Sequence, residues 1–270
     1  VQNPDSVFLT TPESSTSSAP GEMEVIQKTL QNGLTVYLSP NTEEPRFYAE
    51  IITRAGSKHD PSTNTGLAHY LEHLLFKGTQ NFGTLDYEKE KPFLERIASL
   101  YELRSKETNE TKRAEIYEEI NRISTTAAEL AIPNEMDRAY SDMGAKGINA
   151  HTWHEETVYK VDLPANRLAH WAKIESERFA KPVFRLFHTE LETVYEEKNR
   201  AIDNKDRLLH REVNNLLFKI HPFDKSKHWL MVIACLHADF ESEEIIQWIV
   251  CMNQIYSIHD RNDLIVFSLG

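Results

Sequence analysis

Three residues of one short stretch, GLAHYLEHLLFKGT from Gly66 to Thr79, have little use in a packed core: His69, Glu72 and His73. Positions four apart lie on one face of a helix, so the two imidazoles point the same way, with Glu72 on the flank of that face. Two neutral imidazoles at this spacing can grip one metal ion, and a carboxylate beside them can act on a metal-bound water. His-x-x-Glu-His is the reverse of the commoner His-Glu-x-x-His order and gives the same geometry read from the other end. The bland alternative is a helix with two ordinary histidines and a surface glutamate, since so short a pattern also arises by chance.

A catalytic zinc usually takes three protein ligands and keeps one position for water. The histidines supply two, so a carboxylate from another element must supply the third. The helix expected over Phe187 to Ile202 is crowded with acids: Glu190, Glu192, Glu196 and Glu197. Glu190 and Glu197 are two turns apart and share a face. One of them can bind metal while the other hydrogen-bonds a ligand histidine and holds its tautomer. An acidic, solvated helix face is the competing reading. His151 and His154 stand in an extended segment at a spacing that does not suit a shared ion with His69 and His73.

The elements that must position these groups follow from periodicity. Residues 1–21 are rich in Ser, Thr and Pro and read as a flexible leader. Asn32-Gly33 marks a tight hairpin before a strand over Leu34 to Leu38. A second strand, Arg46 to Ala55, puts Phe47, Ala49, Ile51 and Thr53 on one side. Thr65 or Asn64 is the expected cap of the histidine helix, which should pack across the sheet. Residues 86–131 read as two long, charged antiparallel helices, with apolar Phe93, Ile97, Leu100, Ile116, Ile120 and Ile123 at helical spacing. A short helix follows Pro133, then strands around Ile148–Trp153 and Thr157–Tyr159. A helix over Pro164 to Phe179 sets Leu168, Trp171, Ala172, Glu175 and Phe179 along one side. Trp229 to Leu236 is an apolar run too short to cross a bilayer, and Ser242 opens a further helix.

Composition narrows the classes. The chain has 270 residues, enough for one large domain, and its formal net charge of −12 argues against a general nucleic-acid binder. No apolar run is long enough for a membrane span. Cys235 and Cys251 are too few for a disulfide framework or a cysteine metal cluster.

Taken together, GLAHYLEHLLFKGT, the preceding RAGS at Arg54 to Ser57, NGLTVYLSP at Asn32 to Pro40, the Asn149-Ala150 to Thr157-Val158-Tyr159 segment and LETVYEEKNR at Leu191 to Arg200 resemble the pitrilysin, insulin-degrading and mitochondrial processing peptidase family, the M16 inverted zincins. The likeness runs from about Val25 to Phe223 and is to the N-terminal catalytic domain, in the bacterial branch with a helical insert. It implies an α+β fold, with an antiparallel-rich β-sheet packed against helices and a long helical hairpin. Residues 22–270 then form a single domain, with the insert at about 86–131 and an irregular or shortened end over about 224–270. Residue by residue, the resemblance implies His69, His73 and Glu197 as Zn2+ ligands, Glu72 as the base acting on zinc-bound water, and Glu190 as a supporting acid. Asn149, Ala150 and His151 match the segment that binds substrate peptide along an edge strand. The implied activity is zinc-dependent endopeptidase action on peptides or unfolded polypeptides. A second homologous domain or subunit completes the site in the family; a bacterial periplasm or cell envelope is the favoured location, with the cytoplasm as the alternative. The alternative is a non-catalytic peptide-binding or structural subunit.

Overall fold

The computed structural model of the chain describes residues 15–17, 25–30, 32–40, 44–61, 65–217 and 264–269. Among the described residues seven strands form one sheet: β1 (Ser15–Ser17), β2 (Val25–Thr29), β3 (Thr35–Pro40), β4 (Arg46–Thr53), β5 (Lys146–Thr152), β6 (Thr157–Pro164) and β7 (Leu264–Leu269). Their spatial order is β1-β2-β3-β7-β4-β6-β5. All pairs are antiparallel except β3 with β7. The hairpin expected at Asn32-Gly33 joins β2 to β3, with Gly33 at φ 86°, a conformation glycine adopts without steric cost.

Two outcomes concern the ends of the chain. The leader expected over residues 1–21 includes β1, which pairs along β2. The central slot between β3 and β4 is filled by Leu264–Leu269, which the sequence reading did not mark as a strand. The expected segments at Trp229–Leu236 and after Ser242, and both cysteines, lie outside the described residues.

Strand alternation builds the core. Phe47, Ala49, Ile51 and Thr53 are buried on one face of β4, opposite Leu163, Val161, Tyr159 and Thr157 of β6. Against this face pack α4 (Glu135–Asp142), through Met136 and Tyr140, and α5 (Leu168–Ala180), through Trp171 and Ile174. The Phe47 and Trp171 rings meet edge to face at 5.8 Å between centroids. Along α5 the expected stripe shifts: Ala172 is exposed, and Ile174 and Arg178 are buried instead. Glu175 tolerates burial because Arg178 Nε donates to it at 2.9 Å and the Tyr140 hydroxyl also donates to it.

Helix α1 (Leu67–Leu74) carries the two histidines. It buries Tyr70, Leu71 and Leu74 against Tyr159 and against Val194 of α6 (Phe187–Ile202). Its start is capped differently from expectation. Gly66 is the cap residue, at φ 92°, and Asp60 satisfies the free amides: Gly66 N–H donates to Oδ2 at 2.7 Å and Ala68 N–H to Oδ1 at 3.0 Å. Thr65 stands one residue before the cap, and Asn64 lies outside the described residues.

The insert is a helical hairpin, α2 (Tyr87–Lys106) and α3 (Glu110–Ala128), closed over Ile97, Leu100, Ile120, Ile123 and Ala127. Arg185 fastens it to the rest. This buried guanidinium donates from Nε to both oxygens of Glu90 in α2, at 2.7 and 2.9 Å, and from its other nitrogens to the carbonyls of Thr79 and Phe82. The short segment beyond α1 is thereby pinned between the insert and α6. After α6, α7 (Lys205–Leu217) leaves Leu209, Val213, Leu216 and Leu217 exposed among the described residues. No described helix is long and apolar enough to cross a membrane.

Candidate metal centre and peptide cleft

The packed helices α1 and α6 bring residues from distant parts of the chain to one point. His69 Nε2 and His73 Nε2 are 3.2 Å apart, and Glu197 Oε2 lies 3.5 Å from His73 Nε2 and 3.9 Å from His69 Nε2. A tetrahedral zinc held about 2.0–2.2 Å from each donor requires those donors about 3.3–3.6 Å apart. The three measured separations straddle that range, so two imidazole nitrogens and one carboxylate oxygen fit the ion in both chemistry and spacing. Among the described residues no other group of His, Cys, Asp and Glu converges in this way.

Glu190 sits two turns before Glu197 and behind the histidines. It accepts a hydrogen bond from His73 Nδ1 at 2.9 Å, and its other oxygen is paired with Lys77 Nζ. A proton on Nδ1 leaves Nε2 with its lone pair directed at His69 and Glu197, the tautomer a metal ligand needs. The alternatives for the two acids thus separate geometrically: Glu197 converges with the histidine nitrogens and Glu190 with the back of one ring.

Glu72 is buried beside the triad. Thr152, the last residue of β5, donates its hydroxyl to Glu72 Oε2 at 2.6 Å. Thr157 holds the strand end in turn: its hydroxyl donates to the Ala55 carbonyl at 2.8 Å and lies 3.2 Å from that of Thr152.

Burial and charge set the protonation states. Burial, then the neighbouring His73, pulls His69 down to about 4. Burial works against protonation of His73 too, but the Glu190 hydrogen bond and charge, with Glu72 and Glu197, outweigh it and raise its pKa. Burial raises Glu72, against the hydrogen bond from Thr152 and the His73 charge. Glu190 is also penalised by burial, but His73 and Lys77 hold it below the usual carboxylate range.

These groups line an open cavity of about 1110 Å³ whose walls come from α1, α4, β5, α6 and α7. Asn149, Ala150 and His151 all border it. The strand divides them: Ala150 pairs with Tyr159 and packs toward α1, while Asn149 and His151 pair with Lys160 and Val158 on the sheet's other face. Sequence reasoning missed Thr152, Lys77 and Asp60. Lys77 lay within the histidine stretch and Thr152 within the strand segment, but nothing in their spacing assigns a partner so far along the chain.

An α+β domain that lays a His-x-x-Glu-His helix beneath an edge strand, with a distal glutamate closing the triad, is the architecture of an inverted-zincin metallopeptidase domain. Residues 35–92, which include the histidine helix, match the pattern of Insulinase (Peptidase family M16). Coenzyme PQQ synthesis protein F of Pseudomonas syringae pv. tomato is 42% identical over 64 residues, covering 24% of this chain and 8% of that protein. An uncharacterized zinc protease of Rickettsia felis is 23% identical over 200 residues, covering 73% of this chain and 36% of that protein. The crystal structure of pitrilysin shares the fold, with a TM-score of 0.58 at 16% identity, over 92% of this chain and 21% of that one. The matched regions are thus only a part of each of these longer proteins.

Proposed function

We propose that this chain is a zinc-dependent endopeptidase domain acting on peptides or unfolded polypeptides. The observation that carries the reading is the convergence of His69, His73 and Glu197 with Glu72 buried beside them. Zinc held by those three residues would supply Lewis acidity toward a scissile carbonyl and lower the pKa of a water. Glu72 is the proton carrier, taking a proton at a carboxylate oxygen and passing it to the departing amine. Its raised pKa suits both halves of that task, since a carboxylate that holds a proton too weakly cannot deliver it. Thr152 occupies one carboxylate oxygen and leaves the other for this transfer. Glu190 and Lys77 fix the His73 ring.

Substrate enters as an added strand. Among the described residues β5 is the last strand of the sheet, and it borders the cavity, so its outer backbone groups can pair with an extended peptide through Asn149, Ala150 and His151. A homologous domain or subunit closes the cavity from the other side and completes the site. The exposed leucines of α7 and the partial overlap with longer relatives support that element of the reading.

The test is hydrolysis of an internally quenched, unstructured peptide by the zinc-loaded chain beside Glu72→Gln at equal zinc content. Cutting by the native chain alone supports the reading. Stoichiometric zinc with no cutting by either moves the activity to a complex, in which this chain is a peptide-binding subunit.

A further inference from the structure

The wall of the cavity beyond Thr152 is formed by Trp153, and its indole is 65% exposed. Its place on the wall of the cavity leaves a large apolar face that a bound side chain can cover. The turn that carries it is fixed on three sides. Trp153 N–H donates to the Glu156 carbonyl at 2.8 Å, and Ser57 N–H donates to the Trp153 carbonyl at 2.9 Å. Lys58 N–H donates to the His154 carbonyl at 2.8 Å, and Lys58 Nζ pairs with Glu155. Gly56 allows this lacing, since a Cβ there would stand 2.4 Å from the Trp153 carbonyl oxygen. The His154 ring stands edge-on to the indole, with centroids 5.4 Å apart. The indole is therefore displayed on a braced turn, and a partner that stacks on it does not have to order that backbone first.

We propose that Trp153 is a specificity-determining subsite that takes an aromatic or large aliphatic side chain of the peptide bound along β5. The inference rests on the peptidase reading of the cavity. Trp153 directly follows Thr152, whose hydroxyl holds Glu72, so the subsite lies one residue along the chain from the group that orients the proton carrier. An extended peptide on the β5 edge sends alternate side chains to opposite faces. One side chain near its end therefore meets the indole, at a single register position.

The experiment measures equilibrium binding by calorimetry, with the metal-free chain in a Glu72→Gln background so that no peptide is cut. The probes are heptapeptides of Ala, Gly and Ser with one Phe placed at each position in turn. One position is expected to tighten binding about threefold to tenfold over the Phe-free peptide, the range for an aromatic pair. Trp153→Ala should abolish that preference, so that Phe-containing and Phe-free peptides bind alike, and Trp153→Phe should keep most of it. A positional preference that survives Trp153→Ala overturns the subsite and leaves the peptidase reading standing. So does peptide binding with no positional preference in the native chain. No binding of any peptide to any of the chains overturns both.

Discussion

Thr152 donates its hydroxyl to Glu72 at 2.6 Å, joining the end of an edge strand to the middle of the histidine helix, eighty residues earlier in the chain. The bond fixes which carboxylate oxygen of Glu72 is engaged, and Thr157 keeps the donor in place from the neighbouring strand. The strand proposed to offer its edge to a peptide thus also orients the group proposed to move the proton.

Thr152→Val keeps the shape and removes the donor. Loss of a hydrogen bond to a charged group should lower kcat about tenfold or more, with zinc content unchanged. Thr152→Ser should restore most of the rate. Steady-state kinetics beside metal analysis reads both, and an unchanged kcat in the valine variant would remove Thr152 from the machinery.

Glu190→Gln retains the size of the side chain but gives up the charge that faces His73 and Lys77. Zinc affinity should fall about 10-fold to 100-fold, the usual cost of losing a group behind a ligand histidine. Competition with a chromophoric chelator measures it. Lys77→Met, which leaves the His73 hydrogen bond intact, should cost less.

Protonation of the metal-free chain should differ sharply between the two histidines. His73, raised by Glu190 despite its burial, should lose its proton above the ordinary histidine value, whereas His69 should stay neutral down to about pH 4. Signs follow for stability. The His73 contribution is fully present below its unfolded pKa and is lost as pH rises through the folded value. His69 acts oppositely, destabilising the fold as pH falls from about 6.5 toward 4, where only the unfolded chain takes the proton. NMR titration of the imidazole Cε1 protons tests the assignment, and coincident midpoints would contradict it.

Arg185→Met should be the most damaging single change away from the centre. It leaves buried Glu90 without its partner and takes a donor from the carbonyls of Thr79 and Phe82, the latter still accepting from Thr79 N–H. Breaking such a pair costs about 3–5 kcal/mol, seen as a lower urea midpoint. A loss below about 1 kcal/mol would mean that the insert is held chiefly by its apolar contacts at Phe187.

Local sequence determined the parts whose physics is local. The helical spacing of His69 and His73, the two-turn spacing of Glu190 and Glu197, the hairpin at Gly33 and the alternation of β4 are all set by the period of the element that carries them. The boundaries of α6 and the two-helix insert were legible for the same reason. Tertiary structure alone decided what crosses between elements. It chose Glu197 to converge with the histidine nitrogens and Glu190 to meet the back of His73, because the helices α1 and α6 cross at one depth and not another. It put Gly66 at the cap position and gave the free amides to Asp60, a loop carboxylate whose approach depends on how the loop folds back. It placed Leu264–Leu269 in the middle of the sheet and turned Asn149 and His151 to the face away from α1, since strand pairing and register join residues that no sequence period relates.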